Sequence, residues 1–295
     1  MTEILVKQLK ENKPKISDNT SRTYASLLNS LFYSHHDKSS EMNCEWFENQ
    51  EHIIKLLGEK KPSSRKTTFA ALIALCKNND KYKNEMMSDA KVYQKFIDSQ
   101  TKTEKQEENW KSYDDIVSIY NSYFKKVKPL LNSKTQLEDD DFKKLQDFII
   151  LALTSGVFIP PRRSLDWCEL KIKNINKAED NYIEKGKFYF NKFKTAKFYN
   201  CQEVEIPKAL SSILNKYIKL NPYDYLLTDV KGNKLTSVKL THRLNNIFGN
   251  NISTSMLRHI YLSDKLKNAP AIQELKNLSN EMGNSPTQVM EYVKH

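Results

Sequence analysis

The stretch KFYFNKFKTAKFYNCQEVEIPKALSSILNKYIKL, residues 187–220, changes its hydrophobic period part-way and thereby decides the fold class. KFYFNKFK (187–194) and QEVEIP (202–207) are short strand-like runs, and the polar patch TAKFYN between them reads as the bend of a hairpin. Pro207 then opens a helix, KALSSILNKYIKL, which Asn221-Pro222 stops. Helical patterns lie on both sides of this stretch. Residues 113–130 and 141–155 read as an amphipathic and then a buried helix, the second ending at Gly156. Downstream, helices are expected at about 236–248, 254–267, 270–282 and 286–294, the last with Ser285 as N-cap and Pro286 at its first position. A small sheet set among helices makes the class mainly α with a small β-sheet, an α+β fold.

From Ser17 to about Gln100 the sequence reads helical. Asp18 or Asn19 caps a helix with apolar residues at Tyr24, Leu27, Leu28, Leu31 and Phe32. Further helices are expected in WFENQEHIIKLLGE, which ends at Gly58, after Pro62-Ser63-Ser64, and over roughly 88–101. The run TKTEKQEENWKSYDD (101–115) is charged and poor in aliphatic residues, so a linker is placed there. Two domains follow, a helical one over 1–105 and a mixed one over 106–295.

Composition narrows the function. Apolar runs such as FIILAL (148–153) are far shorter than the ~20 residues a membrane span needs. The start, MTEILVKQLKENK, lacks the apolar core of a secretory signal, so the expectation is an intracellular protein without membrane. Cys44, Cys76, Cys168 and Cys201 are scattered with no C-x-x-C pair, so neither a zinc site nor a disulfide framework is suggested, and no cofactor or metal is expected. The net charge is +11, and it is unevenly placed: residues 1–110 carry +2 and residues 111–295 carry +9. A basic domain of this size suits a polyanion whose phosphates supply most of the affinity. A Lys- and Asn-rich composition of AT-rich origin is the alternative source of that charge.

The second domain holds basic residues at three separated places and a tyrosine near the C-terminus. Arg162-Arg163 follows a buried helix, and Lys194 sits in the hairpin, in a window (185–201) with five Lys and no acid. Arg258 lies in SMLRHIYLS, inside an otherwise apolar helical face, where a guanidinium needs a buried partner or an anion. Cutting a phosphodiester without a metal requires neutralising the phosphorane, aligning a nucleophile and protonating the leaving 5′ oxygen. Two guanidiniums, a lysine and the Tyr292 phenol supply that inventory.

Order and spacing sharpen this. The motifs TSGVFIPPRRSLDW (154–167), FNKFKTAKFYNCQEVEIP (190–207), ISTSMLRHIYLS (252–263) and MGNSPTQVMEYVKH (282–295), in that order, resemble the tyrosine recombinases, or phage-type integrases. In that family an arginine is followed three residues later by a carboxylate, matched by Arg163 and Asp166. A hairpin lysine, often in a KT pair, precedes a strand ending in Pro, matched by Lys194-Thr195 and Ile206-Pro207. The His-x-x-Arg helix is matched by Ser255, Arg258 and the following His259. Glycine followed by His or Trp, with a tyrosine about nine residues on, is matched by Gly283-Asn284 and Tyr292.

The resemblance covers roughly 140–295 and implies a tyrosine recombinase catalytic domain behind a helical core-binding domain that together clamp duplex DNA. It implies a site-specific recombinase or integrase, an enzyme that forms a 3′-phosphotyrosyl link at Tyr292. Arg163 and Arg258 stabilise the transition state, Lys194 is the acid, and Ser255 and Asn284 assist by hydrogen bonding. Neither ATP nor metal is needed, and the working form is a homotetramer on double-stranded DNA. The PPRR-x-x-D-aromatic form is similar to integrases of large DNA viruses and virophages, a virus or mobile-element setting.

Alternatives stay open at two residues: Arg162 competes with Arg163, and Lys192 and Lys197 compete with Lys194. Ser255 and Asn284 depart from the family's usual residues, and neither can act as a base near neutral pH. His259 or His295 is a possible substitute. Those departures also fit a weakened, architectural DNA-binding relative, and a type IB topoisomerase would use the same chemistry.

Overall fold

The computed structural model describes the chain apart from residues 1, 77–78, 195, 197–200, 283–285 and 287–295. It divides into two compact units, one of Met1–Thr101 with the segment from Pro270, the other Lys102–Ala269. Each has its own apolar core.

The first unit is built from helices. α1 (Thr2–Asn12) buries Leu5 and Leu9. Asn12 then donates its side-chain amide to the carbonyls of Ala74 and Leu75, satisfying the end of a later helix. α2 (Asp18–Tyr33) is capped by Ser17, whose hydroxyl accepts from the Thr20 N–H at 3.2 Å. Asp18 thus falls inside the first turn, where its charge favours the dipole. α3 is Gln50–Leu57, and α4 (Pro62–Leu75) starts at the proline itself and buries Phe69, Ala71, Leu72 and Leu75. α5 (Asp80–Asp98) begins earlier than its sparse aliphatic residues suggest, because buried Tyr82 anchors it with a 2.6 Å hydrogen bond to the Phe47 carbonyl. Arg65 of α4 grips Asp89 of α5, itself only 1% exposed, through Nε at 2.8 Å and through Nη2.

In the second unit, the charged run read as a linker contains α6 (Glu104–Asn109), made possible by a reciprocal capping box between Thr103 and Gln106. α7 (Tyr113–Val127) opens on a second such box, Ser112 with Asp115. α8 (Asp139–Thr154) is the core helix, buried continuously from Phe148 to Thr154. Arg243 of a later helix secures it by donating to Asp147 at 2.6 Å. α9 (Ser164–Cys168) places Trp167 edge-on against Phe188 and Phe190.

Four short strands follow: β1 (Leu170–Lys171), β2 (Asn181–Glu184), β3 (Lys187–Phe190) and β4 (Gln202–Glu205). They form one sheet in the order β1-β2-β3-β4, parallel between β1 and β2 and antiparallel elsewhere. The expected hairpin is the β3–β4 pair. The β2–β3 turn was not anticipated; Lys185 and Gly186 both take positive φ there, which suits a two-residue hairpin turn. α10 (Lys208–Leu220), α11 (Ser237–Phe248) and α12 (Thr254–Lys265) complete the unit. The fold class is therefore mainly α with a small sheet.

α13 (Ile272–Glu281) returns to the first unit. Lys276 pairs with Asp98 at the end of α5, and the Ile272 N–H donates to Gln100 at 3.0 Å. The helix expected at 286–294 falls largely outside the described residues. Among the described residues no helix is long and apolar enough to cross a membrane.

Gly156, just past α8, has φ +86°, and a Cβ there would run into the ring of Tyr261 on α12. Gly186 has φ +77° but open space around it. Gly156→Ala should destabilise the protein by about 3 kcal/mol, from overpacking added to strain, and Gly186→Ala by about 1 kcal/mol, as read from urea unfolding.

Candidate active site

From Gly156 the chain runs through Ile159-Pro160-Pro161, whose prolines hold it extended, and delivers Arg162 and Arg163 to the start of α9. The two arginines behave differently. Arg162 donates from Nε to the Asp166 carboxylate at 2.8 Å and from Nη2 to Gln202 at 2.9 Å. Its guanidinium also lies 4.0 Å over the Phe190 ring. It is a brace joining α9 to β3 and β4. Arg163 is exposed, and its guanidinium has no hydrogen-bond or ion-pair partner among the described residues.

The guanidinium of Arg258, half-buried on α12, likewise has no such partner among the described residues. Both unpaired arginines line one cavity of about 310 Å³, with Ile159, Phe193 and Val204 as its apolar part. What aligns the two elements is a hydroxyl pair. Ser164 on α9 and buried Thr254 at the start of α12, 90 residues apart, lie 2.8 Å from each other.

Asp166 sits beneath this arrangement. Burial pushes its carboxyl above the ordinary value, against the pull of Arg162 and then of Arg163 and Arg258. One of its oxygens, Oδ1, is buried without a hydrogen-bond partner. Three guanidiniums acting on one carboxyl give the cavity a positive potential.

Lys194 is exposed in the loop that follows β3, next to Phe193 of the cavity wall. Lys192 is engaged elsewhere, at 3.0 Å from Asp180. Lys197 lies outside the described residues, as do Asn284 and Tyr292. Burial raises the Asp180 carboxyl, but hydrogen bonds from Lys171, the Asn176 backbone and Lys192 overcome this and hold it at about 2.

Ser255 and His259 are not brought to the arginines' cavity. They line a separate one of about 320 Å³, with Lys105, Asn245 and Asn251. Among the described residues no group of His, Cys, Asp or Glu is placed to hold a metal ion. Sequence reading missed Gln202, Thr254 and Ser164 as parts of this region. Each is an ordinary polar residue whose partner lies far along the chain, and local pattern carries no sign of it.

No family model matches the chain, and no curated protein does. Among solved structures, a lambda integrase dimer bound to a COC′ core site overlaps it with a TM-score of 0.49 at 15% identity, over 100% of this chain and 97% of that one. XerA recombinase overlaps with a TM-score of 0.36 at 11% identity, over 100% of this chain and 94% of that one.

Two measurements check the local structure. Thr254→Val, which removes the buried hydroxyl pair, should cost about 1 kcal/mol in urea unfolding, while Ser255→Ala, exposed one residue on, should stay within about 0.5 kcal/mol of wild type. Asp180 has a folded pKa below the ordinary 3.8, so its stabilisation is full above that value and is lost as pH falls towards about 2. That loss should be about 2 kcal/mol, and Asp180→Asn should remove this part of the acid limb in pH-dependent unfolding.

Proposed function

We propose that the chain is a DNA strand transferase of the tyrosine recombinase type, a site-specific recombinase or integrase. The observation that carries this reading is the shared cavity of Arg163 and Arg258, two unpaired guanidiniums from separate motifs. A half-buried structural cation such as Arg258 is normally paired, so its unpaired guanidinium, on a cavity that exposed Arg163 also lines, suits an anion supplied from outside. The withdrawal of Arg162 onto Asp166 favours Arg163 as the phosphate ligand, in keeping with its three-residue spacing to that carboxylate.

In this reading the two guanidiniums hold the non-bridging oxygens of a scissile phosphate. The Tyr292 phenol gives up its proton to solvent water and bonds to phosphorus, and the bond to O5′ breaks. Lys194 protonates the leaving oxygen, giving a 3′-phosphotyrosyl link and a free 5′ hydroxyl. Ser255 and Asn284 assist by hydrogen bonding. Reversal by another 5′ hydroxyl rejoins the strand, and the bond energy stays in the phosphotyrosine. The partner is double-stranded DNA, attracted by the +9 carried over residues 111–295, and the working form is a homotetramer on it, inside the cell where the target DNA lies.

One observation favours a second reading, a DNA-binding relative that does not cut: Ser255 and His259 open on a cavity that Arg163 and Arg258 do not line. A nicked duplex that traps the cleaved state separates the two. Wild type is expected to form a denaturant-resistant protein–DNA adduct and Tyr292→Phe none. Arg163→Ala and Arg258→Ala should each slow adduct formation by about 10²–10³-fold. Salt-sensitive duplex binding with no adduct from wild type would select the non-cutting reading. Relaxation of supercoils without recombinant product would select a topoisomerase.

A further inference from the structure

Asn181, the first residue of β2, is 0% exposed, and its side chain is fully engaged by two segments. Its amide donates to the Asp166 carbonyl at 3.1 Å and to the Lys192 carbonyl at 2.8 Å. Its carbonyl oxygen accepts from the backbone N–H groups of Asn191 at 2.8 Å and Lys192 at 2.6 Å. Two donors and two acceptor sites is the whole capacity of an asparagine. No other residue type of that size offers donors and acceptors on one planar group.

The two segments matter. Asp166 belongs to α9, which begins immediately after Arg163, and Asn191-Lys192 open the loop that carries Lys194. That loop leaves β3 at Phe190 and rejoins β4 at Gln202. Exposed connecting segments take a fixed course where hydrogen bonds tie their backbone down. Asn191 adds a second tie, donating its side-chain amide to the carbonyls of Lys177 at 3.0 Å and Asp180 at 2.8 Å. Lys192 adds a third through its ion pair with Asp180. The first two residues of the loop, Asn191 and Lys192, are thereby fixed to the same framework as the arginine motif, two positions before Lys194.

We infer that Asn181 is a positioning residue that sets Lys194 against the phosphate held by Arg163, an assignment that rests on the strand-transfer reading above. It touches neither DNA nor the reacting atoms; it acts through the lysine. Its loss should therefore damage proton delivery to the leaving oxygen more than it damages attack on phosphorus.

A substrate in which sulfur replaces the bridging 5′ oxygen tests this, because a thiolate leaves without needing a proton. Lys194→Ala sets the benchmark: slow cleavage of the oxygen substrate and near-normal cleavage of the sulfur substrate. Asn181→Ala is expected to follow it, with a loss of about tenfold or more on oxygen and about threefold or less on sulfur. Arg163→Ala should lose rate on both.

Equal losses on the two substrates from Asn181→Ala would overturn the inference, since a merely structural role does not distinguish the leaving atoms. Should Asn181→Ala fail to fold, as judged by thermal unfolding, Asn191→Ala on the half-buried second tie decides instead, by the same oxygen-selective loss or its absence. Failure of wild type to form an adduct with either substrate overturns the strand-transfer reading, and the inference falls with it. Normal wild-type cleavage with no selective effect in either variant overturns the inference alone.

Discussion

A carboxylate buried among three guanidiniums bonds to only one of them, and much of the second unit's geometry follows from that selection. Asp166 takes Arg162, which also reaches Gln202 and covers the Phe190 ring. The pair therefore ties a five-residue helix to β3 and β4, the last two strands of the sheet. Removing one member of such a pair leaves an uncompensated charge and typically costs several kcal/mol. Because adjacent residues of an extended chain point apart, anchoring Arg162 also directs Arg163 elsewhere. The neighbour of a structural arginine is left unpaired by the same stroke.

Much of this was legible in advance. The change of period across residues 187–220 located a hairpin followed by a helix, and both are present as β3–β4 and α10. Gly156 was read as the end of a buried helix, and its positive φ with the Tyr261 ring overhead explains why the chain turns there. Arg258 was singled out because a cation on an apolar helical face needs an explanation, and it does line a cavity with Arg163.

The illegible parts have a common cause. β1 is two residues long and β2 four, too short for a period to register, and β2 begins with an asparagine that local rules assign to a turn. α1 escaped because its Leu5 and Leu9 stand among charged residues, and the start of α5 because Tyr82 works through a single distant hydrogen bond. Asp18 or Asn19 was taken as the cap when Ser17 holds that place, a difference of a residue or two that only the 3.2 Å contact to Thr20 decides. The contrast between Arg162 and Arg163 also lies beyond pattern, since it depends on Gln202, 40 residues away. Partners across such spans leave no periodic trace.

The return of α13 to the first unit makes that unit discontinuous in sequence. The polypeptide passes from one body to the other after Thr101 and back again after Ala269. During synthesis, the amino-terminal body lacks α13 until all of the intervening body has left the ribosome. A cut at the first crossing would not release two finished modules either: the carboxyl-side fragment would carry α13 away from Asp98 and Gln100, the groups that receive it. Shorter versions of this protein are thus constrained by connectivity, and the amino-terminal body keeps the contacts of Asp98 and Gln100 only when α13 accompanies it.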